Sequence, residues 1–350
     1  MRAIRNYSIK TLNLSVCEIA PDTIQMKKKN TIRVFEGFAG YGGASFGLKR
    51  SGVKYKVIGM SEFDSFASGL LKQNFPGIKN WGDITKINPE DLPDFDLFTG
   101  GFPCQPFSSA GLQLGEEDKY GRGTLFFEIA RICEAKTPKY ILLENVKGLT
   151  QKKFATTFER IKTRMKEMGY GDVSYAVLNS KDYGIPQNRE RLWMFWRFGG
   201  LPEGFDIVPP KVELKKRFGD LLDSNPPKEL YLSDKQIAHL KEKHHIESFV
   251  VDEPLCFDVY NKKIRRDAIC ITITQPEHNS LRVIEVPKEG KEVVRKMSID
   301  EQFRFMGFKD GELDYTGQSY SQMSKRAGNG WDVNLVGILL NHIFTQLGEI

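Results

Sequence analysis

From Thr31 onward, short apolar runs alternate with longer stretches whose apolar positions recur every three or four residues. The first kind reads as strands and the second as amphipathic helices. Thr31–Phe35, Tyr55–Met60, Asp96–Thr99, Val173–Leu178 and Leu192–Trp196 predict strands. Tyr140–Leu143 is continuously apolar, as in a strand buried on both faces. A stretch ending at Lys49, then Ser65–Asn74 and Thr124–Glu134, predict helices. The last carries Leu125, Phe126, Ile129, Ile132 and Cys133 as its stripe. Another helix is predicted to start on a capping-box pattern, Thr156 to Glu159, and to stop at Gly169. Its stripe is Phe158, Ile161, Met165 and Met168. Strands alternating with helices predict an α/β fold built on a doubly wound sheet.

The alternation breaks at Gly199-Gly200-Leu201-Pro202. Two Pro-Pro pairs follow, and basic clusters at Lys211–Arg217 and Lys262–Arg266 are separated by acidic stretches. This predicts a first domain over residues 31–198 and a second, smaller one over 199–310. A helix over Ile299–Met306 is expected, capped by Ser298 and Glu301 and ended by Gly307. The apolar face of Val333–Leu347 predicts a helix in a C-terminal segment, 311–350, that packs back on the first sheet. Residues 1–30 fit none of these patterns and stand as an N-terminal extension.

Composition narrows the classes. The 350 residues are 40% hydrophobic, enough for a substantial core. No apolar run follows Met1-Arg2 as in a signal peptide, and none reaches the length of a membrane span. The five cysteines (17, 104, 133, 256 and 270) are odd in number and never in a CxxC pair. That argues against a disulfide framework or a zinc site, and for a reducing compartment. A net charge of +6 permits a polyanionic partner without requiring one.

The chemistry concentrates at the ends of the predicted strands. Gly101-Phe102-Pro103-Cys104-Gln105-Pro106-Phe107-Ser108 places a thiol in a loop stiffened by two prolines. Such a loop holds a nucleophile in one place, although a lone cysteine is also a common core residue. Glu36-Gly37-Phe38-Ala39-Gly40-Tyr41-Gly42-Gly43 is a glycine turn at a helix start. It is neither GxGxxG nor a P-loop, which disfavours a nicotinamide dinucleotide and a nucleoside triphosphate. An acidic residue at its edge, Glu36, suits a ligand with positive charge and no phosphate, of which S-adenosylmethionine is one. Glu62 ends the second strand where doubly wound folds present a carboxylate to a ribose diol, and Asp83 could accept from an adenine amino group. Glu144-Asn145-Val146 ends the buried strand, where a desolvated carboxyl group keeps its proton more readily. Arg189 and Arg191, two apart at the start of a strand, are expected on one side, placed to hold a carbonyl oxygen or a phosphate.

These residues carry a resemblance. The blocks Phe38–Gly43, Gly101–Gly111, Arg122–Phe126, Glu144–Val146, Gln187–Arg191 and Gly328–Gly330 match DNA (cytosine-5)-methyltransferases in sequence and order. The resemblance spans residues 32 to about 345. It implies an S-adenosylmethionine-dependent methyltransferase fold with a target-recognition domain. It implies that Cys104 adds to C6 of a flipped-out cytosine, Glu144 donates to N3, and Arg191, with Arg189 beside it, holds O2 or a phosphate. Asn145 and Pro103 would shape the base pocket. Phe38, Gly40, Gly42, Glu62, Phe63, Asp83, Ile84, Leu125 and Asn329 would surround S-adenosyl-L-methionine, with no metal. The implied partner is double-stranded DNA, met by a monomer in the cytoplasm of a prokaryote or phage host, with a restriction endonuclease acting separately.

Two positions depart from the family pattern: Glu36 stands where Asp is usual, and Gly330 where Ser is usual. Two alternatives share the blocks. One is a tRNA cytosine-5 methyltransferase, a branch that usually carries a Cys-Phe-Thr tripeptide absent here. The other is a catalytically inactive DNA-binding regulator, which has no use for Cys104, Glu144 and Arg191 together.

Overall fold

The computed structural model describes residues 31–103, 125–276 and 281–350. The expectations resting on Cys104, Pro106 and the blocks between them and Thr124 lie outside the described residues, as does the N-terminal extension.

The central sheet uses six strands: β1 (Ile32–Gly37), β2 (Tyr55–Ser61), β3 (Leu97–Gly101), β4 (Tyr140–Val146), β5 (Ser174–Asn179) and, after the two-residue β6 (Gln187–Asn188), β7 (Glu190–Arg197). Their order is β2-β1-β3-β4-β7-β5. β1 to β4 pair in parallel, whereas β7 lies antiparallel to both β4 and β5. Each predicted strand of this sheet is present and runs one to three residues further at its C-terminal end.

Side-chain alternation explains why both faces are covered. Val34, Leu97, Leu142, Trp193 and Phe195 face one core. Phe35, Phe98, Ile141, Leu143, Leu192, Met194 and Trp196 face another. α1 (Gly43–Ser51) and the C-terminal α8 cover the first face, α8 being Val333–Gln346, as its apolar stripe predicts. α3 (Leu125–Lys136) and α4 (Ala155–Glu167) cover the second; α2 (Ser65–Asn74) follows β2. The capping box expected at Thr156 is absent: α4 starts at Ala155, so Thr156 lies inside the helix. The chain enters α4 through two 3-10 turns, and the ring of Phe154, packed on the core, anchors its start.

The helix start at α1 shows how Glu36 is used. Glu36 lines the cavity edge, but its carboxylate is turned to the chain itself. It is 3% exposed, and its carboxylate accepts from Ala44 N (2.9 Å), Ser45 N (3.1 Å) and Ser45 Oγ (2.5 Å). The Ncap residue Gly42 has no side chain to cap with, so the strand before the turn supplies the acceptor instead.

The second module is a four-stranded antiparallel sheet, order β12-β11-β8-β9, which the aperiodic sequence did not announce. Its strands are β8 (Leu255–Asp258), β9 (Lys263–Arg265), β11 (Leu281–Lys288) and β12 (Lys291–Arg295). The short β10 (Cys270–Ile271) leaves this sheet and pairs with β6, stitching the two modules together. α5 (Asp234–His244) carries its own capping box, Ser233 with Gln236. α6 (Ile299–Arg304) has the expected Ser298–Glu301 box, and α7 (Tyr320–Asn329), which the sequence reading missed, leads to α8. The core of this module runs on into Tyr41, Phe46 and Leu70 of the first. At its centre the fully buried Arg295 donates to Glu285 and, bidentately at 2.7 Å, to Glu301, joining β12 to the start of α6.

Two stability predictions follow from these buried charges. Burial pushes Glu36 up to about 7 from 4.5, against the pull of its Ser45 and Ala44 hydrogen bonds. The folded state therefore holds a proton that the unfolded chain has lost, and stability falls as pH rises between about 4.5 and 7. In urea melts, Glu36→Gln should remove a pH-dependent loss on the order of 3 kcal/mol across that window. Parallel stability–pH curves for the two proteins would contradict this. Arg295→Met leaves the buried Glu301 without its cation and Glu285 with Lys288 alone, and should cost about 3–5 kcal/mol in the same melts.

Candidate active site

The sheet gathers its chemistry at one edge. β1, β2, β3 and β4 all end there, at Gly37, Ser61, Gly101 and Val146. Because β7 runs the other way, its first residues reach the same edge. Arg191 is paired with Val146, and Trp193 with Glu144. A cavity of about 1030 Å3 opens along this edge, lined from both modules. This is where open α/β sheets bind ligands, beside the strand at which the order reverses.

One half of the cavity receives the residues expected around a cofactor. Phe38, Gly40, Glu62 and Phe63 line it, as do Asp83, Ile84, Leu125 and Asn329. Glu62 accepts from Gly40 N (2.9 Å) and Asp64 N (2.8 Å), one on each oxygen, which fixes its carboxylate while leaving lone pairs unused. Asp83 accepts from Thr85 N (3.0 Å) and Thr85 Oγ1 (2.9 Å). Phe63, 77% exposed, and the buried Ile84 both line the cavity. Gly42 departs from the expectation: it does not line the cavity. Its φ of +87° and the Phe75 ring, 2.4 Å from where a Cβ would stand, make it a packing requirement of the turn.

The other half holds the reactive set. Glu144 is 8% exposed, and Arg191 Nε lies 3.0 Å from its Oε1. Burial pushes Glu144 above the usual carboxylate range; Arg191, Arg189 and a hydrogen bond from the Trp331 indole pull against it. Asn145 is buried and donates from Nδ2 to the Phe102 carbonyl at 3.0 Å, while its Oδ1 accepts from Val146 N at 2.8 Å. It thus ties the end of β4 to the chain two residues before Cys104. Pro103, exposed, lines the cavity and is the last described residue of this stretch; Cys104 is not among the described residues.

Arg189 is corrected. It does not share a side with Arg191, because the strand pairing breaks between β6 and β7. Its guanidinium is 2% exposed and donates to the carbonyls of Ile273 (2.9 Å), Gly328 (3.0 Å) and Gly330 (2.7 Å). Burial, then repulsion from Arg191, lowers it to about 9, which leaves it charged near neutrality. Arg189 clamps the turn after α7 onto the sheet and leaves Arg191 alone facing Glu144.

The sequence reading missed Trp331 and Tyr41. Trp331 lines the cavity beside Glu144, and its carbonyl accepts a short hydrogen bond from Tyr41 Oη. The only signal was position: Trp331 directly follows the Gly328–Gly330 block. Tyr41 also explains Gly330. A Cβ there would stand 2.0 Å from the Tyr41 ring, so the serine usual at this place has no room. No group of three or more His, Cys, Asp or Glu placed to hold a metal occurs among the described residues.

Comparison with known proteins gives this geometry its kin. The profile of the C-5 cytosine-specific DNA methylase family matches residues 32–345. Type II methyltransferase M.HaeII of Haemophilus aegyptius is 35% identical over 330 residues, covering 92% of this chain and 95% of the relative. Type II methyltransferase M1.ScrFI of Lactococcus lactis subsp. cremoris is 41% identical over 228 residues, 62% of this chain, which spans about half (55%) of that relative's length. The crystal structure of S. pombe Dnmt2 methyltransferase superposes with a TM-score of 0.70 over 91% of this chain and 99% of that one, at 18% identity, a likeness of fold. A profile that matches nearly every residue from the first strand to the last helix decides the kinship: this chain belongs to the C-5 cytosine-specific DNA methylases.

Proposed function

We propose that this methylase transfers a methyl group to C5 of a cytosine flipped out of a specific double-stranded DNA sequence, as the modification half of a Type II restriction-modification pair. The observation that carries the reading is the shared cavity edge. Glu144 and Arg191 meet at 3.0 Å, beside the Asn145 tether that holds the base of the Cys104 loop.

The reaction follows from what each residue can do. Cytosine C5 is a poor nucleophile until electron density is pushed into it. Addition of the Cys104 thiolate to C6 forms the S–C6 bond and moves the C5–C6 π pair toward C5. Glu144, whose proton burial makes easier to keep, gives that proton to N3, so that the ring does not carry a full negative charge. Arg191 holds Glu144 and stands where the cytosine O2 or a neighbouring phosphate comes to rest. After C5 has gained its methyl group, loss of the C5 proton to a base re-forms the C5–C6 bond and expels Cys104 as thiolate. Both C6 and N3 are inaccessible in a stacked pair, hence the flipped base, at a cost of a few kcal/mol.

The cavity's other half fits S-adenosylmethionine. The Phe63 face and Ile84 offer apolar walls for an adenine, with Asp83 beside them as an acceptor for its amino group. Glu62 has lone pairs left for a ribose diol, and a Cβ added at Gly40 would meet nothing within 4 Å, so the backbone there is open to close approach. When bound, that group supplies an electrophilic methyl on a sulfonium. Asn329 and Leu125 close the remaining sides. Base contacts are assigned to the 199–310 region, which stands across the cavity through Gln275. We infer a monomer working in the cytoplasm of a prokaryote or phage host, its endonuclease a separate protein; no described helix is long and apolar enough to cross a membrane.

Bisulfite sequencing of DNA from cells expressing the chain should show one recurrent methylated sequence. A duplex with 5-fluorocytosine at that position, incubated with S-adenosylmethionine, should leave a denaturation-stable protein–DNA adduct, because fluorine cannot leave as a cation. Cys104→Ser should form no adduct. Glu144→Gln should lower the single-turnover rate by roughly 10²–10⁴ with little change in cofactor affinity. Turnover retained in Cys104→Ser, or methylation of tRNA alone, would overturn the reading.

A further inference from the structure

Trp331 stands in a place that the reaction above does not use. It sits between the end of α7 and the start of α8, 8% exposed, and lines the cavity beside Glu144. Its indole nitrogen faces the Glu144 carboxyl group across Gly101, where its N–H favours the charged form of the acid. Gly101 leaves room for this contact: a Cβ there would stand 2.6 Å from Trp331 Nε1 and 2.9 Å from Glu144 Oε2. The indole ring rests edge-to-face on Trp193, centroids 4.8 Å apart at 73°, and Trp193 is the cross-strand partner of Glu144.

The position is held from three directions. Tyr41 Oη donates to the Trp331 carbonyl. Arg189 holds the carbonyls of Gly328 and Gly330 just before it. Asp332, just after it, caps α8 by accepting from Asn334 N (2.9 Å) and Leu335 N (3.2 Å). A ring fixed this firmly does more than fill space when its one polar atom meets the reactive carboxyl group.

The chemistry of the two contacts is one-sided. An indole N–H and a guanidinium can donate but not accept. Arg191, 3.0 Å from Oε1, and Trp331 can therefore only donate to Glu144 and offer no acceptor for its proton. We propose that Trp331 is a positioning residue for Glu144: with Arg191 it occupies the carboxyl lone pairs facing the protein, so that the acid O–H can point only into the cavity, toward the cytosine ring. The proposal rests on Glu144 as the proton donor to N3.

Trp331→Phe keeps an aromatic ring against Trp193 and removes the donor. The single-turnover rate near neutral pH should fall by roughly tenfold to a hundredfold through loss of orientation. Cofactor affinity, measured by calorimetry without DNA, should stay within about threefold. The lost donor favoured the charged carboxylate, so the alkaline limb of the rate–pH profile should move to higher pH. A rate and profile like those of the wild type, or a rate loss accounted for by weaker cofactor binding, would overturn the proposal. A second readout needs neither turnover nor the Phe variant. In protein carrying 15N-labelled tryptophan, one of the four indole N–H resonances should titrate with pH, and Glu144→Gln should abolish that response. Four resonances indifferent to Glu144→Gln would sink the contact itself. Failure of wild-type adduct formation with 5-fluorocytosine would instead sink the catalytic reading and leave the resonance test standing.

Discussion

The reversal of β7 is the constraint on which the site depends. In a wholly parallel sheet, the start of each strand lies at the edge opposite its neighbours' ends. Arg191 would then lie opposite Tyr140, about 13 Å along the strand from Glu144. Placing β7 antiparallel between β4 and β5 brings its first residues beside the last of β4. The acid and the cation that holds it thus come from adjacent strands, in register, with no flexible loop between. The reversal is affordable because β7 is apolar on both faces: alternate residues Leu192, Met194 and Trp196 enter one core, and Trp193 and Phe195 the other.

That edge would be open on one side without the chain's last 55 residues. The segment after β12 returns through α6 and α7 to α8, which packs on α1 and on the sheet. Arg189 fastens this return by holding carbonyls of Ile273, Gly328 and Gly330, three main-chain groups from two distant segments. Its burial carries a desolvation cost that these hydrogen bonds offset. Two arginines two residues apart therefore divide their labour. Arg189 closes the cavity wall, and Arg191 faces into it. Trp331 depends on the first and meets the partner of the second.

Much of this was legible from pattern. The strands of the central sheet, the helices Ser65–Asn74 and Val333–Gln346, and the Ser298–Glu301 cap follow from apolar periodicity and end signals alone. Glu144 and Glu62 were legible as carboxyl groups at strand ends, and both reach the cavity. What periodicity could not show was direction. Leu192–Trp196 reads the same whether it runs parallel or antiparallel, so the distance between Arg191 and Glu144 was not readable, and Arg189 was placed on the wrong side. The 199–310 region hid its strands for a different reason. β8, β9 and β10 have four residues or fewer, and β10, of only two, pairs outside the sheet of its neighbours. Trp331 was invisible because its role lies in one N–H, and nothing in a sequence tells a packing indole from a donating one.

The two departures from the family pattern are each matched by a neighbour. Glu36 is one methylene longer than the usual Asp, and that reach lets a residue on β1 touch both Ala44 N and Ser45 of α1 across the glycine turn. The Ser45 hydroxyl, at 2.5 Å, offsets part of the cost of burying a longer acid. Gly330 lacks the usual serine because the Tyr41 ring fills the space where a Cβ would go. Tyr41 in turn uses its hydroxyl on the next carbonyl, that of Trp331. Glu36 and Tyr41 stand at the two ends of one turn, six residues from Gly37 to Gly42, and both departures therefore act on the same few ångströms of backbone. The turn that opens the cofactor half of the cavity is thus coupled, through Tyr41 and Trp331, to the carboxyl group in the reactive half. A change in how the turn is packed has a physical route to Glu144 that passes through one hydroxyl and one indole.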